Sequence, residues 1–314
     1  MAGLFHALGM LEDNARCETA SNACNGDGQR SNVHHFLDLR LPTVRLGLRA
    51  MNSNLDFVSH LAHESGRFAA AVAETAPMAP VPTCPAWDAD DLLWHLAEVQ
   101  WFWGTIVRQA LQRPPLAEVR PARPASRSEL LSFCSAVSAE LVSALGSAAP
   151  QDRVWTWSDD HNVAFVRRRQ AHEALIHRID AELTIGLRTP MDAQLSDDGI
   201  GEALCVMYGR VPDWATFSTN DAGVIRLHAR DNASTWLVRL GRLTGIDPDD
   251  GTAVDEACLD VADDSVVNAD ATLTGSAADL DCWLWRRPTI ETLRRAGDNR
   301  LLDQLEMVIG LGID

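Results

Sequence analysis

Apolar residues recur three and four positions apart in four stretches of the first two thirds of the chain. This spacing places them on one face of an α-helix, so each stretch is predicted to bury that face against its neighbours. The links between the stretches are short or carry proline, which favours an antiparallel helical bundle. The pattern predicts helices over residues 55–75, 88–106, 126–145 and 162–183.

Polar residues at the starts of two of these helices support the assignment. Asp88 is a good N-cap, and Asp90 and Asp91 suit the positive end of the helix that follows. Ser126 and Glu129 form a capping-box pattern ahead of the third helix. The sequence therefore predicts where these two helices begin.

The pattern changes after Pro190. Alternation of apolar and polar residues predicts strands over 224–230, 235–240 and 270–274. Helical spacing returns at 200–208, 277–286 and 300–309. The fold class expected is mainly α plus α+β, in three regions: a flexible N-terminal extension at 1–50, a helical bundle at 51–190 and a small α+β domain at 191–314. Met51 is a candidate natural start, and whether residues 1–50 belong to the natural protein stays open.

Charge and residue usage exclude several function classes. All 27 positions counted as Lys or Arg are arginine, and the net charge is −17. An acidic surface repels phosphate, so no nucleic-acid partner is expected, and no apolar run approaches the ~20 residues that span a bilayer. The absence of lysine excludes a lysine Schiff base and a P-loop lysine. The seven cysteines show no CxxC pair and no secretion signal is evident, so we predict a cytoplasmic protein without a disulfide framework.

Three residues on two of the predicted helices form a candidate metal site. Glu173 and His177 lie four apart on the fourth helix, so their side chains share one face. His95 interrupts the apolar stripe of the second helix and is expected to point into the bundle. Two imidazoles and a carboxylate are the ligands of many catalytic zinc sites, which keep a fourth position open. Two alternatives stay open: an inward histidine can be a hydrogen-bonded core residue, and a Glu/His pair can be a solvated helix face.

Neighbouring polar residues are expected to have other roles. His172 and His177 are five apart, about 140° round a regular helix, so they cannot share one metal ion and a metalloprotease is not expected. Asp180 could orient the far nitrogen of a metal ligand or hold an arginine. Of the three arginines at 167–169, we expect most to be solvated, with one candidate to face an anionic ligand.

Several segments of the chain resemble the mycothiol-dependent maleylpyruvate isomerase family. They occur in the family's order and cover the chain from about residue 55 to the end. The block at 169–182 is the most specific of them. The segments are VPTCPAW at 81–87, DLLWHL at 91–96, RQAHEALIHRIDAE at 169–182, GSAADL at 275–280, WLWRR at 283–287, and Gly297 with Asp298.

The resemblance implies a DinB-like four-helix bundle that binds a divalent metal, usually zinc, followed by a smaller sterol-carrier-like α+β domain. It carries the metal ligands onto His95, Glu173 and His177, the set already selected on spacing. The family usually has Gly-Arg where this chain has Arg286 and Arg287, and Arg287 is expected to face the substrate.

The resemblance also implies mycothiol as a thiol cosubstrate and a small-molecule substrate. The expected reaction is thiol-assisted cis–trans isomerisation of a maleylpyruvate-like compound. Two alternatives remain: a mycothiol S-transferase that conjugates the thiol to an electrophile, and a non-catalytic metal-binding or regulatory protein. Residue patterns do not distinguish the isomerase from the transferase, and they leave the substrate, the native metal and the oligomeric state open.

Overall fold

The computed structural model describes residues 55–248, 250–262 and 268–311. The predicted flexible extension at residues 1–50 lies outside these ranges.

Four long helices make up the first part of the described chain. Asp88 caps the second helix by accepting hydrogen bonds from two backbone N–H groups, and Asp91 completes a capping box. Ser126 and Glu129 form the same arrangement at the third helix. All four predicted helices are confirmed: α1 Phe57–Glu74, α2 Ala89–Arg108, α3 Arg127–Ser147 and α4 Val163–Thr184.

The four helices pack on one another through their apolar faces. Helix α1 lies against α4 and α2 lies against α3, while α2 also contacts α4. The contact between α2 and α4 positions the candidate site, because it brings His95 toward Glu173 and His177. The interior between these helices is apolar around Leu96, Leu141 and Leu175, which are fully buried.

A short hairpin that the sequence pattern did not predict precedes α2. Strands β1 (Pro80–Val81) and β2 (Cys84–Asp88) pair antiparallel across the proline-rich segment. Thr83 lies at the turn of this hairpin and reaches α4, where its Oγ1 is 2.6 Å from Asp180 Oδ1.

The second part of the chain combines helices with a mixed sheet. Helix α5 (Ala193–Glu202) continues into a π-helical segment, Ala203–Tyr208, so the helix predicted at 200–208 begins earlier. The sheet has the order β5-β4-β3-β6-β7, with β3 and β6 parallel and the other pairs antiparallel. Its strands are β3 Ala215–Ala229, β4 Ser234–Ile246, β5 Ala253–Val261, β6 Ala271–Gly275 and β7 Arg294–Gly297, and the remaining helices are α6 Ala277–Leu284 and α7 Asn299–Gly310.

These elements confirm the fold class, helices followed by an α+β arrangement. Three predicted strands and both predicted late helices are present, whereas the apolar pattern did not predict β5 and β7. The boundary expected between residues 190 and 191 falls between α4 and α5. The division into domains, like the DinB-like and sterol-carrier-like descriptions, stays a prediction.

Within the described residues, one helix is long and apolar enough to cross a membrane by length and composition. It is α3, which contains Glu129 and Glu140 and is therefore not an unbroken apolar run. A core helix of a soluble protein passes the same test, and α3 buries Leu130, Leu141 and Leu145 inside the helical part. The cytoplasmic location and the absence of a membrane partner stay predictions.

Candidate metal centre

The three residues selected on sequence spacing lie together between α2 and α4. Glu173 Oε1 is 3.4 Å from His95 Nε2 and 3.1 Å from His177 Nε2. One ligand atom from each residue lies within 4.8 Å of the other two. The side chains of His95 and Glu173 are 20% and 17% exposed, so a small molecule can approach the cluster from solvent.

The geometry fits a single divalent ion. Ligand atoms bound tetrahedrally to one zinc at ~2.1 Å lie ~3.4 Å apart, close to the two separations found here. Two imidazoles and one carboxylate also leave a fourth position for a further ligand. Within the described part of the chain, His95, Glu173 and His177 are the one group of this kind.

Each of two cluster residues is held by a further side chain. His177 Nδ1 is 3.0 Å from Asp180 Oδ2, so Nδ1 donates to the carboxylate and Nε2 faces the cluster. Arg169 Nη2 lies 2.9 Å from Glu173 Oε2 and directs Oε1 toward the histidines. Arg169 is itself paired with Glu202 of α5 and lies 5.0 Å from the ring centre of Trp285. The outer contacts of the site thus come partly from the second half of the chain.

Burial and hydrogen bonds set the protonation of the cluster. Burial opposes ionisation of Glu173, but hydrogen bonds from His177 and His95 outweigh it and hold the pKa of Glu173 well below its usual range. Burial lowers the pKa of His95, so this imidazole is neutral near pH 7. Burial also acts to lower the pKa of His177, but hydrogen bonds to Asp180 and Glu173 raise it to about 9. Without an ion, the cluster therefore holds one carboxylate, one neutral imidazole and one imidazolium.

Arg287, expected to face the substrate, reaches the site from the segment after α6. Its Nε lies 2.9 Å from Asp180 Oδ1, and its Nη2 lies 2.6 Å from Asp180 Oδ2. Its Nη1 donates to the Trp285 carbonyl at 2.7 Å. Arg287 is thus near His177 through a shared carboxylate, and its contact with a substrate stays a prediction.

His172 lies outside the cluster, as the helical geometry predicts. Helix α4 is regular through this segment, and His172 Nε2 is 2.9 Å from Asp198 Oδ1 on α5. His172 is fully buried and packs edge-on against Phe57.

The expectation that most arginines of 167–169 are solvated is wrong. Arg168 and Arg169 are buried and pair with Asp198 and Glu202, four residues apart on α5. Arg167 donates to backbone carbonyls at the end of α3. An acidic pair at this spacing is a sequence signal, but it does not identify which arginines it meets because they lie about thirty residues away.

Two family domains match this chain. Residues 58–182 match the Mycothiol maleylpyruvate isomerase N-terminal domain, and residues 194–304 match the MDMPI C-terminal domain. The two matches cover the helical part and the sheet-containing part in order. The chain therefore belongs to the mycothiol-dependent maleylpyruvate isomerase family, which is named for an enzyme, and the resemblance drawn from the sequence is confirmed.

Two crystal structures are similar to this chain. One is described as the mycothiol-dependent maleylpyruvate isomerase; at 11% identity it covers 77% of this chain and 92% of its own, with a TM-score of 0.48. The other is a histidine-to-alanine mutant of that isomerase, with the same identity and coverage and a TM-score of 0.50. At this identity the likeness shows the fold alone. No curated protein matches the sequence.

Proposed function

We propose that the chain is a metal-dependent enzyme that uses mycothiol to isomerise a maleylpyruvate-like substrate from cis to trans. The observation that carries the proposal is the cluster of His95, Glu173 and His177, whose ligand atoms lie within 4.8 Å of one another. Family membership supports the thiol cosubstrate, because both matched domains belong to a family named for mycothiol dependence.

In this proposal the candidate metal centre binds both the ion and the thiol. His95, Glu173 and His177 would hold the ion, with a fourth position left open to a sulfur atom. A divalent ion bound there, for which zinc is the expected metal, would lower the pKa of the thiol and supply a thiolate near neutral pH. Trp87 packs against His95, with ring centres 4.8 Å apart, and so places an apolar surface next to one of the candidate ligands.

The isomerisation needs no net oxidation. The sulfur of mycothiol forms a bond to one carbon of the cis double bond, and the electron pair moves onto the conjugated carbonyl group. Rotation about the resulting single bond is followed by cleavage of the carbon–sulfur bond, which regenerates the thiol and the trans double bond. Arg287 would hold a substrate carboxylate and so fix the part of the substrate that does not rotate.

A mycothiol S-transferase is the second candidate. The observation in its favour is that Asp180 already occupies the Nε and Nη2 edge of Arg287, so a substrate carboxylate cannot bind along that edge. A neutral electrophile needs no such contact. In that reaction the carbon–sulfur bond forms and remains.

The test is to assay the metal-loaded protein with mycothiol, first on maleylpyruvate and then on a panel of neutral electrophiles. We expect turnover to require both the ion and the thiol. Elemental analysis should give about one divalent ion per chain for wild type, and much less for His95→Ala. His172→Ala is the matched control, since it removes a buried imidazole of the same helix outside the cluster.

Four results would contradict the proposal. Equal metal content in wild type and His95→Ala would remove His95 from the site. Full turnover without added thiol would exclude a thiol cosubstrate. Loss of activity in Cys84→Ser at unchanged metal content and fold would implicate the protein's own thiol. Conversion of neither substrate class at full metal occupancy would favour a non-catalytic protein.

A further inference from the structure

One buried carboxylate joins three separate segments beside the candidate metal centre. Asp180 is fully buried, and each of its oxygens accepts two hydrogen bonds. Oδ1 accepts from Thr83 Oγ1 of the hairpin at 2.6 Å and from Arg287 Nε at 2.9 Å. Oδ2 accepts from His177 Nδ1 at 3.0 Å and from Arg287 Nη2 at 2.6 Å.

The first consequence concerns His177. A neutral imidazole carries one N–H, and the other nitrogen is the one that can bind an ion. Because Nδ1 donates to Asp180, the lone pair of the neutral ring lies on Nε2, which faces Glu173 at 3.1 Å. Asp180 therefore selects the nitrogen that is turned toward the cluster and fixes the orientation of the ring.

The second consequence concerns Arg287. A guanidinium has five N–H donors. Asp180 takes one from Nε and one from Nη2, and the Trp285 carbonyl takes one from Nη1. Among the described residues, these contacts leave one N–H on Nη1 and one on Nη2, the two nitrogens of the outer edge of the guanidinium. This edge can bind one carboxylate bidentately while the inner edge stays on Asp180.

We propose that Asp180 is a positioning residue that fixes the ion-binding nitrogen of His177 and the outer edge of Arg287 relative to each other. The inference rests on the proposed function and adds a positioning residue to it. A substrate that carries a carboxylate within reach of its reacting carbon would meet both groups at once. A neutral electrophile would react at the candidate metal centre beside His177 without binding Arg287.

The test uses Asp180→Asn, which keeps the size of the side chain but removes its charge and places an N–H₂ where an oxygen accepted. Thr83→Val is the matched control. It removes one hydrogen bond from the same carboxylate and leaves the contacts with His177 and Arg287 in place. The affinity for zinc is measured by competition with a chelator. KM and kcat are then measured with mycothiol at saturating zinc, for maleylpyruvate and for a neutral electrophile.

Asp180→Asn should weaken zinc binding about 10- to 100-fold, as for other groups that orient metal ligands. At saturating zinc it should raise KM for maleylpyruvate about tenfold or more relative to the neutral electrophile. Thr83→Val should change the zinc affinity, and the KM for maleylpyruvate relative to that for the neutral electrophile, by no more than about threefold. The double variant Asp180→Asn, Arg287→Met should discriminate between maleylpyruvate and the neutral electrophile as Arg287→Met alone does, with no further change in the ratio of their KM values.

If Asp180 has a purely structural role, Asp180→Asn should reduce kcat/KM equally for both substrates and leave the zinc affinity unchanged. That result would overturn the proposal. If wild type converts neither substrate, the proposed function fails; the zinc affinities of wild type and Asp180→Asn then still test the link to His177. If Asp180→Asn does not fold, Arg287→Lys provides the second variant, because lysine lacks the planar outer edge. An unchanged KM ratio in Arg287→Lys would also overturn the proposal.

Discussion

Because His177 is protonated near pH 7, we predict that binding of one metal ion releases one proton and that the metal affinity therefore depends on pH. Burial opposes charge on this ring, but Asp180 and Glu173 raise the pKa of His177 to about 9. The pKa of Glu173 and that of His95 are both lowered, so those ligands already lack their protons near pH 7. An ion entering the site must therefore displace one proton, from His177.

The size of the effect follows from the difference between pH and pKa. At pH 7, two units below the value of about 9, roughly 1% of the His177 rings are unprotonated. The apparent affinity is then about 100-fold, or ~2.7 kcal/mol, weaker than that of the deprotonated site. It should rise about tenfold for each pH unit from 6 to 8 and level off above 9.

The assay is zinc competition with a chelator of known pH dependence, at several pH values. Calorimetry in two buffers of different ionisation enthalpy counts the released protons independently. We expect about one proton per ion at pH 7. An affinity that does not change between pH 6 and 8, or a release of two protons, would refute this assignment of charges.

The same proton gives a second readout in the metal-free protein. The pKa of His177 is raised on folding from 6.5 to about 9, so its contribution to stability is complete below pH 6.5. The contribution is lost as pH rises through 9, by up to about 3 kcal/mol. Denaturant unfolding of metal-free protein between pH 6 and 9.5 measures it. Bound zinc should remove this dependence, and His177→Gln should remove it as well.

Three further predictions concern other residues. His172→Ala should keep metal content near wild type, because His172 lies outside the cluster, whereas His177→Ala should abolish metal binding at comparable folded yield. Elemental analysis of both variants measures the metal content. A structure with His172 bound to the ion would contradict this prediction. Arg178→Met should lower the free energy of unfolding by about 3–5 kcal/mol, because it strips the buried Glu64 of its ion-pair partner. Urea unfolding measures this, and a loss below about 1 kcal/mol would oppose it. Arg286→Gly should raise stability by up to about 1 kcal/mol, since Arg286 has a φ of 59°, a left-handed conformation that favours glycine. A lower melting temperature in that variant would mean that the arginine side chain makes a stabilising contact.

The local elements of the helical part could be predicted from the sequence. Helices α2 and α3 begin where Asp88 and Ser126 allow a capping box, and capping depends on residues three positions apart. Glu173 and His177 share a face because a regular helix brings residues i and i+4 together. His95 could be added because it interrupts an apolar stripe. Each of these inferences uses contacts within one helix, which the sequence order specifies.

The tertiary structure decided how that site is supported. Asp180 and Arg287 are separated by 107 positions, and the sequence around either residue does not indicate that the two form an ion pair. The sequence favours exposure for most of the three arginines at 167–169, yet α5 supplies two carboxylates that allow the burial of Arg168 and Arg169. Pairing of charges across distant segments depends on how helices dock, and docking is governed by the packing of whole apolar faces. The sequence alone was therefore sufficient to select the three residues of the candidate site, and only the fold determined what holds them in place.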